Sequence, residues 1–186
     1  MSTLTLTPAT AQDIEPIAQL HAKSWRIAYR GMLPDDYLDQ RVVADRIAFW
    51  TARFDSVPPD RRLVLKAEID AAPLGFVCVL LDVEPHWGAR LDNLHVSPES
   101  KGTGIGYALF QAAREWIAHV SPGTAMHLWC VERNLVARRF YDRQGGKVVE
   151  TATRPVAQDL AVPELRYWWS GAGGGGVAGP AGSVPG

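Results

Sequence analysis

The chain opens with alternating polar and apolar residues and then changes to an apolar repeat of three or four residues. Thr3–Thr7 alternates with β-branched residues and predicts a strand. Thr10 then has the character of a helix N-cap, and the helical spacing behind it continues to Tyr29. A second helix is expected from Asp35 to about Phe54. The first part of the chain is therefore predicted to form one strand followed by two helices.

Strand-like patterns return in the middle of the chain. Arg62–Ile69 and Leu74–Val83 predict an antiparallel hairpin, and a strand around Leu91 follows it. Behind this strand, helical and strand-like segments alternate until the chain closes on two strands. The elements predicted there are the helices Gly106–Val120 and Asn134–Gln144 and the strands Met126–Val131, Lys147–Thr153 and Leu165–Trp169.

The last residues have a different composition. Residues 170–186 are almost entirely glycine, alanine, proline and valine, with no side chains that could build a core. Such a segment cannot bury enough apolar surface to offset the entropy lost on ordering, so it predicts a disordered Gly/Ala/Pro-rich tail. Residues 1–169 are expected to form one domain with a substantial core.

Composition and charge exclude several classes of function. The formal net charge is −1 and 21% of the residues are charged, which gives no basic footprint for nucleic acid or anionic membranes. No apolar run has the length of a membrane span, and the N-terminus opens no signal peptide. Cys78 and Cys130 lie in strand-like apolar runs, so reduced thiols and a cytoplasmic location are expected. The five histidines share no ligand spacing, and no metal is expected.

A glycine-spaced loop is the first candidate for chemistry. Lys101–Gly106 places three glycines at alternate positions where the third helix should begin. Glycine lets the main chain approach a ligand closely, and the unpaired N–H groups of a helix N-terminus attract anions. The loop therefore predicts a phosphate cradle, with a plain strand-to-helix connector as the alternative. Its spacing and its position in mid-chain do not fit a Rossmann dinucleotide site.

The strand before this loop has an interrupted pattern. The apolar parity shifts by one residue between Leu91 and Leu94, whereas Val96 follows Leu94 in step. A bulge that absorbs such a shift would deliver main-chain groups and Asp92 to a site beside the loop. The alternative is that Asp92 and Asn93 only open a polar turn.

A second constellation lies in the predicted fourth helix. Asn134 and Tyr141 are seven residues apart, or two helical turns, so both project from nearly the same face, with Ala137 between them. A small residue at that position would leave room for a ligand along the helix. Asn134 as an ordinary N-cap and Tyr141 as core packing are the alternatives.

These two segments carry a resemblance to a known family. LDNLHVSPESKGTGIGYAL resembles the acetyl-coenzyme A signature of the GNAT superfamily of N-acetyltransferases, with Lys101, Gly104 and Gly106 in the pattern and Lys101 in place of the usual Gln or Arg. LWCVERNLVARRFYDRQGG resembles the family's second motif. The resemblance implies an α+β, three-layer fold, in which a central mixed and mostly antiparallel sheet of about seven strands is flanked by about four helices.

The resemblance also implies site residues. It makes acetyl-CoA the co-substrate, and it gives Tyr141 the position of the general acid that protonates the leaving thiolate. Asp92 is the candidate base, directly or through a water, with Glu132, His95 or water alone as alternatives. The residues implied in cofactor binding are Leu94, His95, Val96, Lys101, Gly102, Thr103, Gly104, Ile105, Gly106, Asn134, Ala137 and Tyr141.

The acceptor is predicted from the first helix. HAKSWRIAYRGMLP resembles the opening of many small-molecule members of the superfamily, which favours a small or amino-acid-like amine that attacks directly in a ternary complex. Trp25, Tyr29 and Trp129 could wall its site, with core packing as the alternative, and His21 is interpreted as a core histidine. A peptide or protein N-acetyltransferase and a catalytically silent acyl-CoA-binding module are the rival functions. The protein is expected to be a monomer or homodimer.

Overall fold

The computed structural model describes residues 3–157 and 159–171. The predicted order of strands and helices is confirmed, and the elements are named here in chain order. The strands are β1 (Thr5–Pro8), β2 (Arg62–Ile69), β3 (Ala72–Glu84), β4 (Gly88–Val96), β5 (Met126–Val131), β6 (Lys147–Ala157) and β7 (Leu160–Trp169), and the α-helices of the described residues are α1 (Ile14–Ala28), α2 (Val42–Ser56), α3 (Ile105–Val120) and α4 (Leu135–Arg143).

The strands form one seven-stranded sheet in the order β1-β2-β3-β4-β5-β7-β6. β4 pairs with β5 in parallel, whereas β1–β2, β2–β3, β5–β7 and β6–β7 pair antiparallel. The fold class predicted from the sequence, a mixed and mostly antiparallel sheet with helices packed on it, is confirmed.

The second helix differs from its prediction. Tyr37–Arg41 forms a π-helical turn, and the regular helix α2 begins only at Val42. A π-helical turn closes its hydrogen bonds one residue further along the chain than an α-helix does. The apolar spacing of a short segment does not reveal that change, so the sequence predicted one continuous helix.

The last hairpin is longer than predicted. β6 continues to Ala157 and β7 begins at Leu160, although Pro155 and Pro163 lie within them. Proline donates no ladder hydrogen bond and is confined to edge strands and bulges. β6 lies at the end of the sheet, and its register shifts beside Pro155. Pro163 lies just beyond Glu164, where the pairing of β7 with β5 ends, so among the described strands β7 pairs only with β6 at that point.

The described residues fall into two compact units. The first unit runs to Leu80 and includes Asp92–Arg114, and the second comprises Leu81–Leu91 and the described residues from Glu115 onward. In the first unit, α1 and α2 bury their apolar faces against β2 and β3. The core there consists of Ile17, Ala18, Leu20, Trp50, Val64, Phe76, Cys78 and Leu80.

Two neighbouring residues of β3 show how the first unit is layered. Phe76 lies in the core beneath α1 and α2, so Gly75 faces the opposite side of the sheet. A Cβ atom at Gly75 would approach the Leu109 side chain of α3 to 3.1 Å and the His95 carbonyl oxygen to 2.9 Å. The glycine thus lets α3 pack closely on the sheet, which fixes the loop that precedes α3.

The second unit packs α4 against β7 through aromatic rings. The Tyr141 ring lies 5.6 Å from Tyr167 and 6.1 Å from Trp169, measured between centroids. A Cβ atom at Gly146 would come within 2.5 Å of the Trp169 ring. Glycine is therefore needed at this position because Trp169 fills the space beside it.

The proposed tail lies almost wholly outside the described residues, which end at Gly171. The division at residues 169 and 170 therefore stays a prediction. None of the described helices is both long enough and apolar enough to cross a membrane.

Candidate active site

The glycine loop before α3 has two residues with positive φ angles. Gly102 and Gly104 have φ angles of +81° and +89°, and a Cβ atom at either would meet nothing within 4 Å. Both glycines are exposed, whereas Ile105 is buried and anchors the first turn of α3. The helical ladder begins at once, since the Ala108 N–H donates to the Gly104 carbonyl at 3.0 Å. The main chain of the loop is therefore exposed, with open space at the Cβ positions of both glycines.

The strand beside this loop carries two engaged polar side chains. The Asp92 carboxylate accepts from Arg53 of α2 at 2.7 Å, and its side chain is only 2% exposed. His95 Nδ1 is 3.0 Å from the Ser24 hydroxyl of α1. Residues three apart on a regular strand point to opposite faces. Both side chains nevertheless reach the α1–α2 side, as expected if a bulge lies between them.

The half-buried His95 ring lies against a second imidazole. The His21 and His95 centroids are 4.4 Å apart. Burial, with smaller contributions from the nearby Arg46 and Lys101, lowers the pKa of His95 to about 3. Burial also places the pKa of His21 well below its usual value, with contributions from His95 and Arg46. Both rings are therefore neutral at neutral pH.

The aromatic residues predicted for the acceptor lie beside these imidazoles in the first unit. Trp25 is buried and packs edge-on against the half-buried Tyr29, with centroids 5.1 Å apart. The Trp25 ring also lies 5.1 Å from His21. On its face rests the guanidinium of Arg46, whose carbon is 4.2 Å from the ring centroid. Trp25 and Tyr29 therefore belong to one polar and aromatic cluster.

Three polar side chains of this region were not predicted as site residues. Ser24, Arg46 and Arg53 contact the residues that the sequence did single out. Arg46, Phe49, Trp50 and Arg53 recur at helical core spacing along α2. Two arginines in step with the aromatic residues Phe49 and Trp50 are the signal that could have identified them.

In the second unit, the residues of the second motif have mainly local partners. Asn134 Oδ1 accepts from the Ala137 N–H at 3.2 Å and caps α4, which is one of the two roles expected from the sequence. Tyr141 is 8% exposed and lies in the aromatic cluster with Phe140, Tyr167 and Trp169. Glu132 is exposed just before α4. These contacts leave the proposed catalytic roles as predictions.

Trp129 has charged neighbours on both sides. The guanidinium carbons of Arg154 and Arg166 each lie 4.3 Å from its ring centroid. Arg166 in turn donates to Glu84 and Glu150 at 2.9 and 2.7 Å. The ring therefore belongs to an ion-paired network of the second unit, and its assignment to the acceptor stays a prediction.

No group of three or more metal-binding side chains that could hold an ion occurs among residues 3–157 and 159–171. The candidate chemistry of the described residues is thus that of main-chain donors, carboxylates, imidazoles, arginines and a phenol.

Comparison with known proteins gives this chemistry a family context. Residues 16–146 match the Acetyltransferase (GNAT) family. The chain is 27% identical over 167 residues to a probable N-acetyltransferase of Mycobacterium tuberculosis, covering 89% of this chain and 93% of that protein. It is 28% identical to an uncharacterized N-acetyltransferase of Archaeoglobus fulgidus, covering 73% and 88%.

A solved structure shows the same fold. The crystal structure of the PaiA N-acetyltransferase from Thermoplasma acidophilum, in complex with coenzyme A, superposes with a TM-score of 0.70. The two sequences are 17% identical, and the match covers 90% of this chain and 99% of that chain.

Proposed function

The chain belongs to the acetyltransferase (GNAT) family, and from this premise we propose that it transfers an acetyl group from acetyl-CoA to the primary amine of a small, amino-acid-like acceptor. The observation that carries the proposal is the open glycine loop at the start of α3, which lies within the matched residues. We propose direct attack by the amine in a ternary complex.

The main chain of the glycine loop fits the diphosphate of coenzyme A. Lys101–Gly106 is proposed to bind it through N–H groups, because the positive φ angles of Gly102 and Gly104 leave no side chain in the way. Leu94, His95 and Val96 of β4 are proposed to hold the pantetheine arm, and Asn134 and Ala137 to contribute from α4. When bound, acetyl-CoA supplies an acetyl group activated as a thioester.

Tyr141 is proposed to donate the proton that the leaving thiolate takes up. A phenol with a pKa near 10 can donate to a sulfur whose basicity rises as its bond to carbon breaks. The hydroxyl would then act in the transition state and contribute little to holding acetyl-CoA. Its loss should lower kcat and kcat/KM by similar factors and leave KM for acetyl-CoA unchanged.

Tyr141→Phe tests this role because the substitution keeps the ring that packs on Tyr167 and Trp169. Turnover should fall about 10²–10⁴-fold, while the free energy of unfolding should change by about 1 kcal/mol at most. Steady-state kinetics and a thermal melt on the same preparation measure both. Full turnover in the Phe variant would assign Tyr141 to the core alone.

Asp92 is proposed to take the proton from the acceptor ammonium, directly or through a water, with His95, Glu132 or water alone as alternatives. Its position on β4 beside the glycine loop supports this. Its ion pair with Arg53 gives it a second role, since it also holds α2 to the sheet. A test must therefore separate proton transfer from structural anchoring.

Two variants make that separation. Asp92→Asn removes the carboxylate, and Arg53→Gln breaks the same ion pair but leaves the carboxylate in place. If Asp92 is the base, Asp92→Asn should lose turnover and the acidic limb of the pH–rate profile, whereas Arg53→Gln should keep that limb. Equal profiles in the two variants would move the role to water or to another residue.

The acceptor is proposed to contact the cluster around Trp25 and Tyr29 rather than an open peptide groove. Release of thiol from acetyl-CoA in the presence of small amines and of peptides tests this choice. A peptide preference would favour the rival function of a peptide or protein N-acetyltransferase. If the protein binds acetyl-CoA but releases no thiol with any of these compounds, a silent acyl-CoA-binding module is favoured.

The proposal includes a cytoplasmic location and a monomeric or homodimeric protein. The two cysteines, Cys78 and Cys130, are buried, and proteins of reducing compartments keep their cysteines as thiols. Cell fractionation and light scattering test these two statements.

A further inference from the structure

Four buried N–H groups of the first unit have no hydrogen-bond acceptor among the described residues. One is Arg53 Nε, and the other three, His21 Nε2, Trp25 Nε1 and Arg46 Nε, belong to neighbouring residues. Their residues are 0%, 6% and 4% exposed. Buried donors are almost always paired, because a donor that has lost its water and gained no partner is unfavourable. Three such groups in one neighbourhood therefore call for an explanation.

The residues that carry the three donors are linked through Trp25, whose ring lies against both the Arg46 guanidinium and the His21 imidazole. Arg46 lies on the Trp25 ring at 4.2 Å and on the Phe49 ring at 4.7 Å, and the His21 and Trp25 centroids are 5.1 Å apart. The Trp50 indole donates to His21 Nδ1 at 3.2 Å. Since an indole can only donate, Nδ1 is the unprotonated nitrogen and Nε2 of the neutral ring carries the hydrogen.

Arg46 is held in its place by a polar connection to the π-helical turn. Its Nη2 donates to Asp45 at 2.9 Å, and the Tyr37 hydroxyl donates to the same carboxylate. Tyr37 belongs to the π-helical turn before α2, and such turns occur frequently at functional sites. One edge of the guanidinium is thus fixed, and its Nε remains for another partner.

The donors of this cluster favour an anion as that partner, since Asp45 pairs with only one edge of the Arg46 guanidinium. Arg46 is the only one of the three residues that carries a charge, because His21 is neutral and tryptophan does not ionise. Asp92, the buried carboxylate of the neighbouring strand, is already paired with Arg53. A ligand carboxylate would supply both the negative charge and the acceptor oxygens, in the planar form that a guanidinium recognises.

We propose that the acceptor carries a carboxylate that is bound by Arg46, Trp25 and His21, so that the substrates are amino acids rather than simple amines. This inference rests on the proposed function for the identity of the acceptor as an amine. It adds that recognition comes from the acid group of the acceptor, and it makes Arg46 a specificity-determining residue.

The test compares amino acids with the amines obtained by removing their carboxylate. Each of a panel of L-amino acids is assayed with acetyl-CoA beside its decarboxylated partner and beside the aminophosphonic analogue. For the side chain that is accepted, kcat/KM of the carboxylate should exceed that of the amine at least tenfold. Amines that are accepted equally well throughout the panel would overturn the inference, and a preference for the phosphonate would overturn its choice of carboxylate.

Variants assign the preference to named groups. Arg46→Gln should lose the tenfold preference for the carboxylate over the amine, and Arg46→Lys should restore only part of it. Trp25→Phe removes one N–H and keeps a ring, and its preference for the carboxylate should fall severalfold. Arg61→Gln, an exposed arginine of the same unit, is the matched control and should change nothing. A preference that survives in folded Arg46→Gln contradicts the inference, and if that variant does not fold, Trp25→Phe decides.

Binding separates this inference from the proposed function. If no member of the panel is acetylated, the proposed function has failed. Calorimetry with N-acetyl amino acids and the corresponding N-acetyl amines still decides the carboxylate site. Wild-type protein should bind the acid at least tenfold more tightly, and Arg46→Gln should bind both equally. Equal binding by the wild type would overturn the inference.

Discussion

Each unit of the protein buries an arginine between two aromatic rings, but the two arginines differ in their partners. In the first unit, Arg46 lies 4.2 Å from the Trp25 ring and 4.7 Å from the Phe49 ring. In the second unit, Arg166 lies 4.2 Å from Trp87 and 4.3 Å from Trp129. Both residues are 4% exposed.

The donors of Arg166 are matched to acceptors. Its Nε donates to Glu150, its Nη2 to Glu84 and its Nη1 to His127 Nδ1, at 2.7, 2.9 and 3.0 Å. Burial alone would raise the pKa of Glu84, but the Arg166 guanidinium outweighs it and holds that pKa below its usual value. Arg46 has one carboxylate partner and an unmatched Nε. Both arginines therefore pack between aromatic rings. They differ in their hydrogen-bond donors: those of Arg166 are paired, which suits a stabilising role, whereas Arg46 has an unpaired Nε, which suits a binding role.

The largest expected effect is a loss of stability when Arg166 is replaced. If this loss is not observed, the distinction between the two arginines is wrong. Arg166→Met removes the partner of two carboxylates and should lower the free energy of unfolding by about 3 kcal/mol, at the lower end for such pairs because Glu84 and Glu150 keep partial access to solvent. Arg46→Met should lose about 1 kcal/mol, since only one carboxylate loses its partner. Urea unfolding measures both, and equal losses would contradict the distinction.

Acidification is expected to destabilise the first unit through its imidazoles. The pKa of His95 is about 3 in the folded protein, against about 6.5 in the unfolded chain. The unfolded state therefore binds the proton first, and stability that is complete above pH 6.5 is lost as the pH falls toward 3. By pH 5 the loss should reach about 2 kcal/mol for His95.

Comparing urea unfolding at pH 7.5 and pH 5 tests this, and His95→Gln should show a smaller loss. His127 of the second unit, with a pKa lowered by burial to about 4, should act in the same direction, and His127→Gln serves as the comparison variant. A stability that rises on acidification would contradict both assignments.

A third prediction separates main-chain from side-chain binding in the glycine loop. Gly104→Val should weaken coenzyme A binding tenfold or more, about 1.4 kcal/mol, because a side chain would enter the open space in front of the loop. Lys101→Gln should change the affinity little. Gly31→Val is the matched control, since Gly31 also has a positive φ, +76°, and open space at Cβ. Calorimetry that gives equal losses for Gly104→Val and Lys101→Gln would contradict the main-chain cradle.

The smallest effect is expected from the end of the chain. Removal of residues 172–186 should leave the melting temperature and coenzyme A affinity within error, because their composition offers no core. The truncation keeps Gly171, whose position is close to the main chain of Gly123. A loss of several degrees on truncation would show that these residues stabilise the protein.

The sequence by itself determined the features that depend on neighbours in the chain. The order of strands and helices follows from apolar periodicity, and the caps at Thr10 and Asn134 follow from side chains that reach main chain two or three residues away. The glycine loop is equally local, since the positive φ angles of Gly102 and Gly104 require only that those two residues be glycine. Such features are readable because their partners are fixed by sequence separation.

The tertiary structure alone decided which polar groups meet. Arg53 pairs with Asp92 across 39 positions, Ser24 with His95 across 71, and Arg166 with Glu84 across 82. The sequence could place each of these residues on an element, but it could not show which elements are adjacent or which face of each is turned inward. For the same reason it could not tell that Arg166 finds acceptors whereas Arg46 keeps an unmatched Nε, because the partners of a buried charge are set by the packing of elements distant in the chain.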